Sequence, residues 1–286
     1  MNLILVSILT LVVIGALSAI ILFFVSKKFH VFEDPRIDEV EAALPAANCG
    51  GCGFPGCRGF ANACVKADTL DGLLCPVGGT ETMEKVAEIL GKTVVAAVPT
   101  VAVVRCGGTC DNRPRKNTYD GVSHCFIAHN LYSGETGCSW GCLGLGDCEL
   151  SCKFDAIHVN PVTLIPEVDE DKCTSCGACV KACPKMLIEL RKKGPKSRRI
   201  YVRCMSQDKG AIAKKACDVG CIGCSKCLNV CPHGAITITN NLAFIHDDKC
   251  KLCRKCVEVC PTNSIIELNF PPRKVKEEQV LTPKVE

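Results

Sequence analysis

Aromatic side chains are scarce in this chain, with one Trp, three Tyr and ten Phe among 286 residues. A body of that size cannot rely on large aromatic cores, so covalent or metal cross-links must replace part of the missing burial. Histidines are few, and His124, His129, His158, His233 and His246 stand singly, without a paired ligand pattern. There is no acid, base and nucleophile set and no flavin attachment motif. G-x-G-x-x-G occurs at Gly51, Gly53 and Gly56, but a proline-rich, cysteine-interleaved turn supplies no preceding strand, which argues against a dinucleotide site. Charge is missing from residues 3–25, LILVSILTLVVIGALSAIILFFV, a run that at 1.5 Å per residue spans roughly 35 Å, enough to cross a bilayer. No basic segment precedes it and it exceeds the usual apolar stretch of a secretion signal, so a cleaved signal fits poorly.

Cysteine is abundant instead, 26 residues in all. At that density a disulfide scaffold and a metal protein compete. Lys27 and Lys28 follow the apolar run, and the positive-inside rule then places the body on the cytoplasmic side of an inner (plasma) membrane. Disulfides are disfavoured in that reducing compartment, so the cysteines read as metal ligands.

Their spacing names the metal group. C-x2-C-x2-C-x3-C-P occurs three times, at Cys173, Cys176, Cys179 and Cys183, at Cys221, Cys224, Cys227 and Cys231, and at Cys250, Cys253, Cys256 and Cys260. In such a run three thiolates bind one four-iron cubane and the fourth, beside Pro, reaches the other cluster of a pair. Crossed ligation therefore predicts Cys221, Cys224 and Cys227 with Cys260, and Cys250, Cys253 and Cys256 with Cys231. Zinc uses two separated C-x2-C pairs and leaves a third Cys and x3-C-P without a role. A further group, NCGGCGFPGC, carries Cys49, Cys52 and Cys57 and is completed by Cys75 in LCP; its glycines let the backbone wrap tightly and turn amides toward sulfur. Cys64, at i+4 from Phe60, reads as a buried structural thiol.

An internal repeat organises the rest. Cys138, Cys142, Cys148 and Cys152 align with Cys217, Cys221, Cys227 and Cys231, and VRC at 104–106 matches VRC at 202–204. The first copy has Leu145 where the second has Cys224. Cys138 lies one helical turn before Cys142, so we expect Cys138, Cys142 and Cys148 with Cys183 for one cluster, and Cys173, Cys176 and Cys179 with Cys152 for its partner. The rival reading is a dead site kept as an apolar plug, and Cys217, idle beside a complete run, keeps that reading open. Cys106, Cys110, Cys125, Cys204 and Cys217 fit no recognised spacing and are either structural or ligands of an additional cluster. The count expected is five [4Fe-4S] clusters, or six if these residues contribute, with no flavin or NAD. With about −2 for each oxidised cluster and its thiolates, the formal charge of +4 reverses in the loaded protein.

The expected architecture is α+β: a transmembrane anchor at 1–26, a small helical 4Fe-4S domain at 33–92 and a connector at 93–137. Two tandem ferredoxin-like double-cluster units follow at 138–190 and 217–268, joined by a basic linker at 191–216 and trailed by a disordered tail at 269–286. Helices are expected at EDPRIDEVEAAL, capped by Asp34, and at TETMEKVAEILG, capped by Thr80 and stopped by Gly91. TVVAAVPTVAVV, residues 93–104, reads as a buried strand pair or a connector. The basic run RKKGPKSRR, 191–199, reads as a solvated loop, or as a docking patch for a small acidic electron carrier.

With these residues in place, the chain resembles the B subunit of the Rnf complex, the membrane-bound ferredoxin:NAD oxidoreductase coupled to ion translocation. The anchor, the CGGCGFPGC domain ending at Cys75 and the ferredoxin-type modules follow in that order over nearly the whole chain. It departs from shorter members in carrying two double-cluster units where they have one, so the number and path of clusters do not transfer. The resemblance implies an electron-transport subunit of a translocase, with no complete active site of its own. It would take electrons from reduced ferredoxin and relay them to the other membrane and peripheral subunits, which pump Na+ or H+ and reduce NAD. No nucleic acid partner is expected.

Overall fold

The structure, a computed structural model, describes residues 3–28, 33–94, 98–132 and 134–272. The expected tail lies mostly outside these residues. Helix α1 (Leu3–Lys28) is apolar throughout and ends in Lys27 and Lys28. None of its hydrophobic core window packs inside the protein, and it is long and apolar enough to span a membrane.

Three helices form the next module. Helix α2 (Arg36–Ala43) has Pro35 at its cap position with no side-chain cap; Asp34, the expected cap, stands one residue further out and accepts the Arg36 N–H at 3.0 Å. Helix α3 (Gly56–Lys66) and helix α4 (Gly79–Leu90) pack against it through Ile37, Val40, Phe60, Cys64, Met83, Val86 and Leu90. Helix α4 begins one residue before the expected cap Thr80, and Gly91 stops it in the left-handed conformation at φ 62°. The Lys92 ammonium then donates to the carbonyls of Cys64, Val65 and Ala67, closing the end of α3 where the helix dipole favours a cation. Cys64 is fully buried in this core, and burial pushes its thiol up to about 11, as suits a packing residue.

The remaining elements come in two copies. Strand β1 (Thr100–Val104) opens the first; then come α5 (Cys125–Leu131), α6 (Asp147–Leu150), the hairpin β2 (Ile157–Val159) and β3 (Pro166–Val168), α7 (Ala178–Ala182) and β4 (Ile188–Lys192). Strand β5 (Arg199–Val202) opens the second, with α8 (Gly210–Ala216), α9 (Lys226–Val230), the hairpin β6 (Ile236–Thr239) and β7 (Leu242–Ile245), α10 (Lys255–Glu258) and β8 (Ile265–Leu268). In each copy the first strand pairs antiparallel with the last, β1 with β4 and β5 with β8. The fold is α+β with only two-stranded sheets among the described residues. Residues 100–104 thus belong to the first unit's sheet, as one strand whose partner lies more than eighty residues on. That distance explains why local pattern could not assign it.

The basic run is a part-exposed turn at 193–198 between two buried ends. Arg191 and Arg199, at its two ends, are each 4% exposed. Arg191 donates to Glu189 at 2.5 Å and to the Ile245 carbonyl at 2.9 Å, and its guanidinium lies over Phe244 and Tyr201 of the second unit. Arg105, also buried, pairs with the other oxygen of Glu189 at 3.3 Å and covers the same Phe244 ring at 4.9 Å. Arg199 pairs with Glu170 across the units. Two guanidiniums from the first unit therefore grip one ring of the second and share one carboxylate. Removing that carboxylate leaves buried positive charge uncompensated. Glu189→Gln is expected to cost about 3 kcal/mol, seen as a clear drop in the thermal unfolding midpoint, whereas Lys192→Gln on the exposed edge leaves it unchanged.

Candidate iron–sulfur sites

Each cysteine run is shaped by its backbone. In the three complete runs the residues flanking the second Cys are left-handed: Ser175 and Gly177 (φ 62° and 74°), Gly223 and Ser225 (66° and 62°), Leu252 and Arg254 (57° and 67°). The degenerate run keeps the same pair, with Gly144 at 73° and Gly146 at 88° around Leu145. Non-glycine residues take this conformation at a cost, so its persistence marks a wrapped turn. Such turns aim amide groups inward, where thiolate sulfur can accept them. The Ala156 and Leu187 N–H groups donate to Cys152 and Cys183 at 3.4 Å, each four residues past the cysteine.

The thiols gather as follows. Cys179 lies within electrostatic reach of Cys173, Cys176 and Cys152. Cys227 is beside Cys221, Cys224 and Cys260; Cys256 is beside Cys250, Cys253 and Cys231, with Cys227 also near. Burial pushes Cys179 and Cys227 up to about 11 and Cys256 up to about 12. Thiols that resist ionisation when buried need a bound cationic centre to become thiolates, so the donor sets fit a metal group. Among the described residues, no three of His, Cys, Asp and Glu converge tightly enough for a single ion. Cys231, Cys250, Cys253 and Cys256 line one cavity, as the donors of a multi-iron cubane must.

A thiol from another element lies beside the degenerate run. One cavity is lined by Cys142, Leu145, Cys148, Cys183 and Cys125. Cys125 lines this cavity together with Leu145 and Asp147, which puts it beside the position of the missing ligand. The cause is local: Asp147 accepts the N–H groups of Cys125 at 2.9 Å and Phe126 at 3.0 Å, pinning the start of α5 to the run. Cys148 has Cys125 and Cys183 as its leading thiol neighbours, and burial pushes it up to about 12. The expected fourth thiol, Cys138, does not line this cavity; it shares one cavity with Cys142 and another with Cys106. Sequence spacing favoured Cys138 because it is near in the chain, whereas Cys125 arrives through a helix cap. One signal was available: Cys125 has no counterpart in the second unit, whose run is complete.

In the helical module, Cys75 is buried within reach of Cys52 and Cys49. Gly51 N–H donates to Cys49 at 3.4 Å and Gly78 N–H to Cys75 at 3.3 Å. The Asn48 side chain accepts the Cys57 N–H at 2.7 Å and would collide with any Cβ at Gly56. A Cβ on Gly51 would stand 2.8 to 2.9 Å from the Cβ, carbonyl and Cα of Cys176, so this loop touches a ligand loop of the first unit directly. Cys110 is exposed, with its thiol toward the Thr163 carbonyl at 3.8 Å, and lines one cavity with Cys138 and Cys142. The histidines take polar contacts, as His124 does with Asp147 and His246 with Thr237. Gly51→Ala is expected to push the two loops apart: amide exchange at residues 174–178 rises while iron content stays that of the unaltered protein.

The family of 4Fe-4S dicluster domains matches residues 220–264, that of 4Fe-4S binding domains matches 166–189, and a family described as a putative Fe-S cluster matches 44–72. The B subunit of the Na+-translocating ferredoxin:NAD+ oxidoreductase complex of Acetobacterium woodii is 45% identical over 88% of this chain and 74% of its own. The B subunit of an ion-translocating oxidoreductase complex of Methanosarcina acetivorans is 39% identical over 85% of this chain and 90% of its own. The B subunit of the proton-translocating ferredoxin:NAD+ oxidoreductase complex of Clostridium ljungdahlii is 39% identical over 87% of each. With iron–sulfur domains in these positions and relatives of this identity along most of its length, the chain belongs to the B subunits of ion-translocating ferredoxin:NAD oxidoreductase (Rnf) complexes.

Proposed function

We propose that the chain takes electrons from reduced ferredoxin and passes them through a row of [4Fe-4S] clusters to the other subunits of an Rnf complex. The observation that carries this reading is the adjacency of the thiol sets. Gly51, between two cysteines of the helical module, meets Cys176; Cys179 faces the neighbouring set through Cys148; and Cys227 faces the last set through Cys256. Clusters bound there would exchange one electron at a time between neighbours, the donor oxidised and the acceptor reduced, with no bond or proton moved.

The ligand sets proposed are Cys49, Cys52, Cys57 and Cys75; Cys152, Cys173, Cys176 and Cys179; Cys125, Cys142, Cys148 and Cys183; Cys221, Cys224, Cys227 and Cys260; and Cys231, Cys250, Cys253 and Cys256. The chain's own part is to hold thiolates, direct amides at their sulfurs and exclude water from between them. Helix α1 is proposed to anchor the body to the cytoplasmic face, with Lys27 and Lys28 at the boundary. Apart from those terminal lysines it carries no charged residue, so ion movement is assigned to partner subunits and this chain does not decide between Na+ and H+.

The test is anaerobic purification of the full chain in its complex, with iron and acid-labile sulfide measured for wild type, Cys125→Ser and Cys110→Ser. Cys125→Ser should lose about four irons and four sulfides, and Cys110→Ser none. Full iron in Cys125→Ser would overturn its assignment as a ligand. Zinc without sulfide, or holoprotein that reduced ferredoxin cannot reduce, would overturn the function.

A further inference from the structure

The five sets leave a break between the two units, and four cysteines stand in it. Cys106, Cys138, Cys204 and Cys217 line one cavity, together with Arg113, Trp140 and Met205. All four are buried, at 7 to 9% exposure. They come from separate places in the chain: the residues after β1 and β5, the segment before Cys142, and the end of α8. The internal repeat makes them two equivalent pairs, Cys106 with Cys204 and Cys138 with Cys217, so each unit brings the same two thiols to one junction. None lies in a stretch matched by an iron–sulfur family.

We propose that these four cysteines bind a sixth [4Fe-4S] cluster, which links the two double-cluster units into one path; this rests on the electron-transfer reading above. The surroundings resemble those of the other sets. Cys204 sulfur accepts the Ser206 N–H at 3.4 Å, and the Gly141 N–H donates to the Cys138 carbonyl at 3.3 Å. Cys138 and Cys217 each lie within electrostatic reach of Cys106, and Cys204 within reach of Cys138. Amides pointed at buried sulfur stabilise thiolate, not thiol.

Position gives the site its role. Cys106 also neighbours Cys142 of the first unit, and Cys204 neighbours Cys221 of the second. Arg113 is 6% exposed, donates to the Cys142 carbonyl at 2.7 Å and leaves its Nε without a partner. A buried guanidinium there offsets the repulsion between two anionic clusters on either side. An electron arriving on the cluster held by Cys142 would move to this one and then to the cluster held by Cys221, one reduction matched by one oxidation at each step. Cys217, without a duty in its own complete run, and Cys138, displaced from the degenerate one, both find a use here.

The experiment is metal analysis and EPR spin counting on the anaerobically purified full chain, for wild type, Cys138→Ser and Cys217→Ser. The wild type should contain about 24 irons and as many sulfides, and each variant about 20, with one reducible cluster fewer and the remaining EPR signals intact. A wild type with about 20 irons, unchanged in both variants, overturns the site while leaving the five-cluster reading standing. Absence of sulfide overturns both. If a variant fails to fold, the wild-type count alone decides.

Discussion

The interaction on which the structure depends is the hydrogen bond from backbone amide to cysteine sulfur. A buried thiol is pushed toward its neutral form, as at Cys148, Cys204 and Cys256, and only a cationic centre together with amide donors reverses that preference. To supply those donors the chain accepts left-handed residues on both sides of the second position of every run, including costly ones such as Leu252 and Arg254. The short strands and helices serve mainly to hold these turns. With two-stranded sheets and few aromatics, the units have little other means of cohesion, so cluster and fold are expected to form together.

Duplication adds a second constraint, because two units must meet closely without their negative clusters repelling. The junction is correspondingly rich in buried cations. Arg105 and Arg191 cover Phe244 and share Glu189, Arg199 holds Glu170, and Arg113 lines one cavity together with Cys138 and Cys142. A positive formal charge that looks like a surface property in the sequence is partly placed inside, next to sulfur.

What is local in the chain was legible from the residues alone. The complete runs, the CGGCGFPGC group and the Gly91 stop all depend on neighbours a few residues apart. The place of Cys125 beside the degenerate run was not legible, because it depends on Asp147 capping α5 from more than twenty residues away. Strand β1 was ambiguous for the same reason, its partner β4 being remote. Only the ends of the run at 191–199 misled, because charge predicts exposure until a ring and a carboxylate from elsewhere cover Arg191 and Arg199. The repeat held the remaining information: it paired Cys106 with Cys204 and Cys138 with Cys217, but only the fold shows that the two pairs face each other.

The central claim is that neighbouring clusters are close enough to form one path, and magnetic interaction tests it most directly. EPR spectra of the fully reduced holoprotein, recorded over a range of temperatures, should show broadened and fast-relaxing signals from coupled neighbouring spins. A sum of sharp, slowly relaxing spectra from isolated clusters would contradict the account.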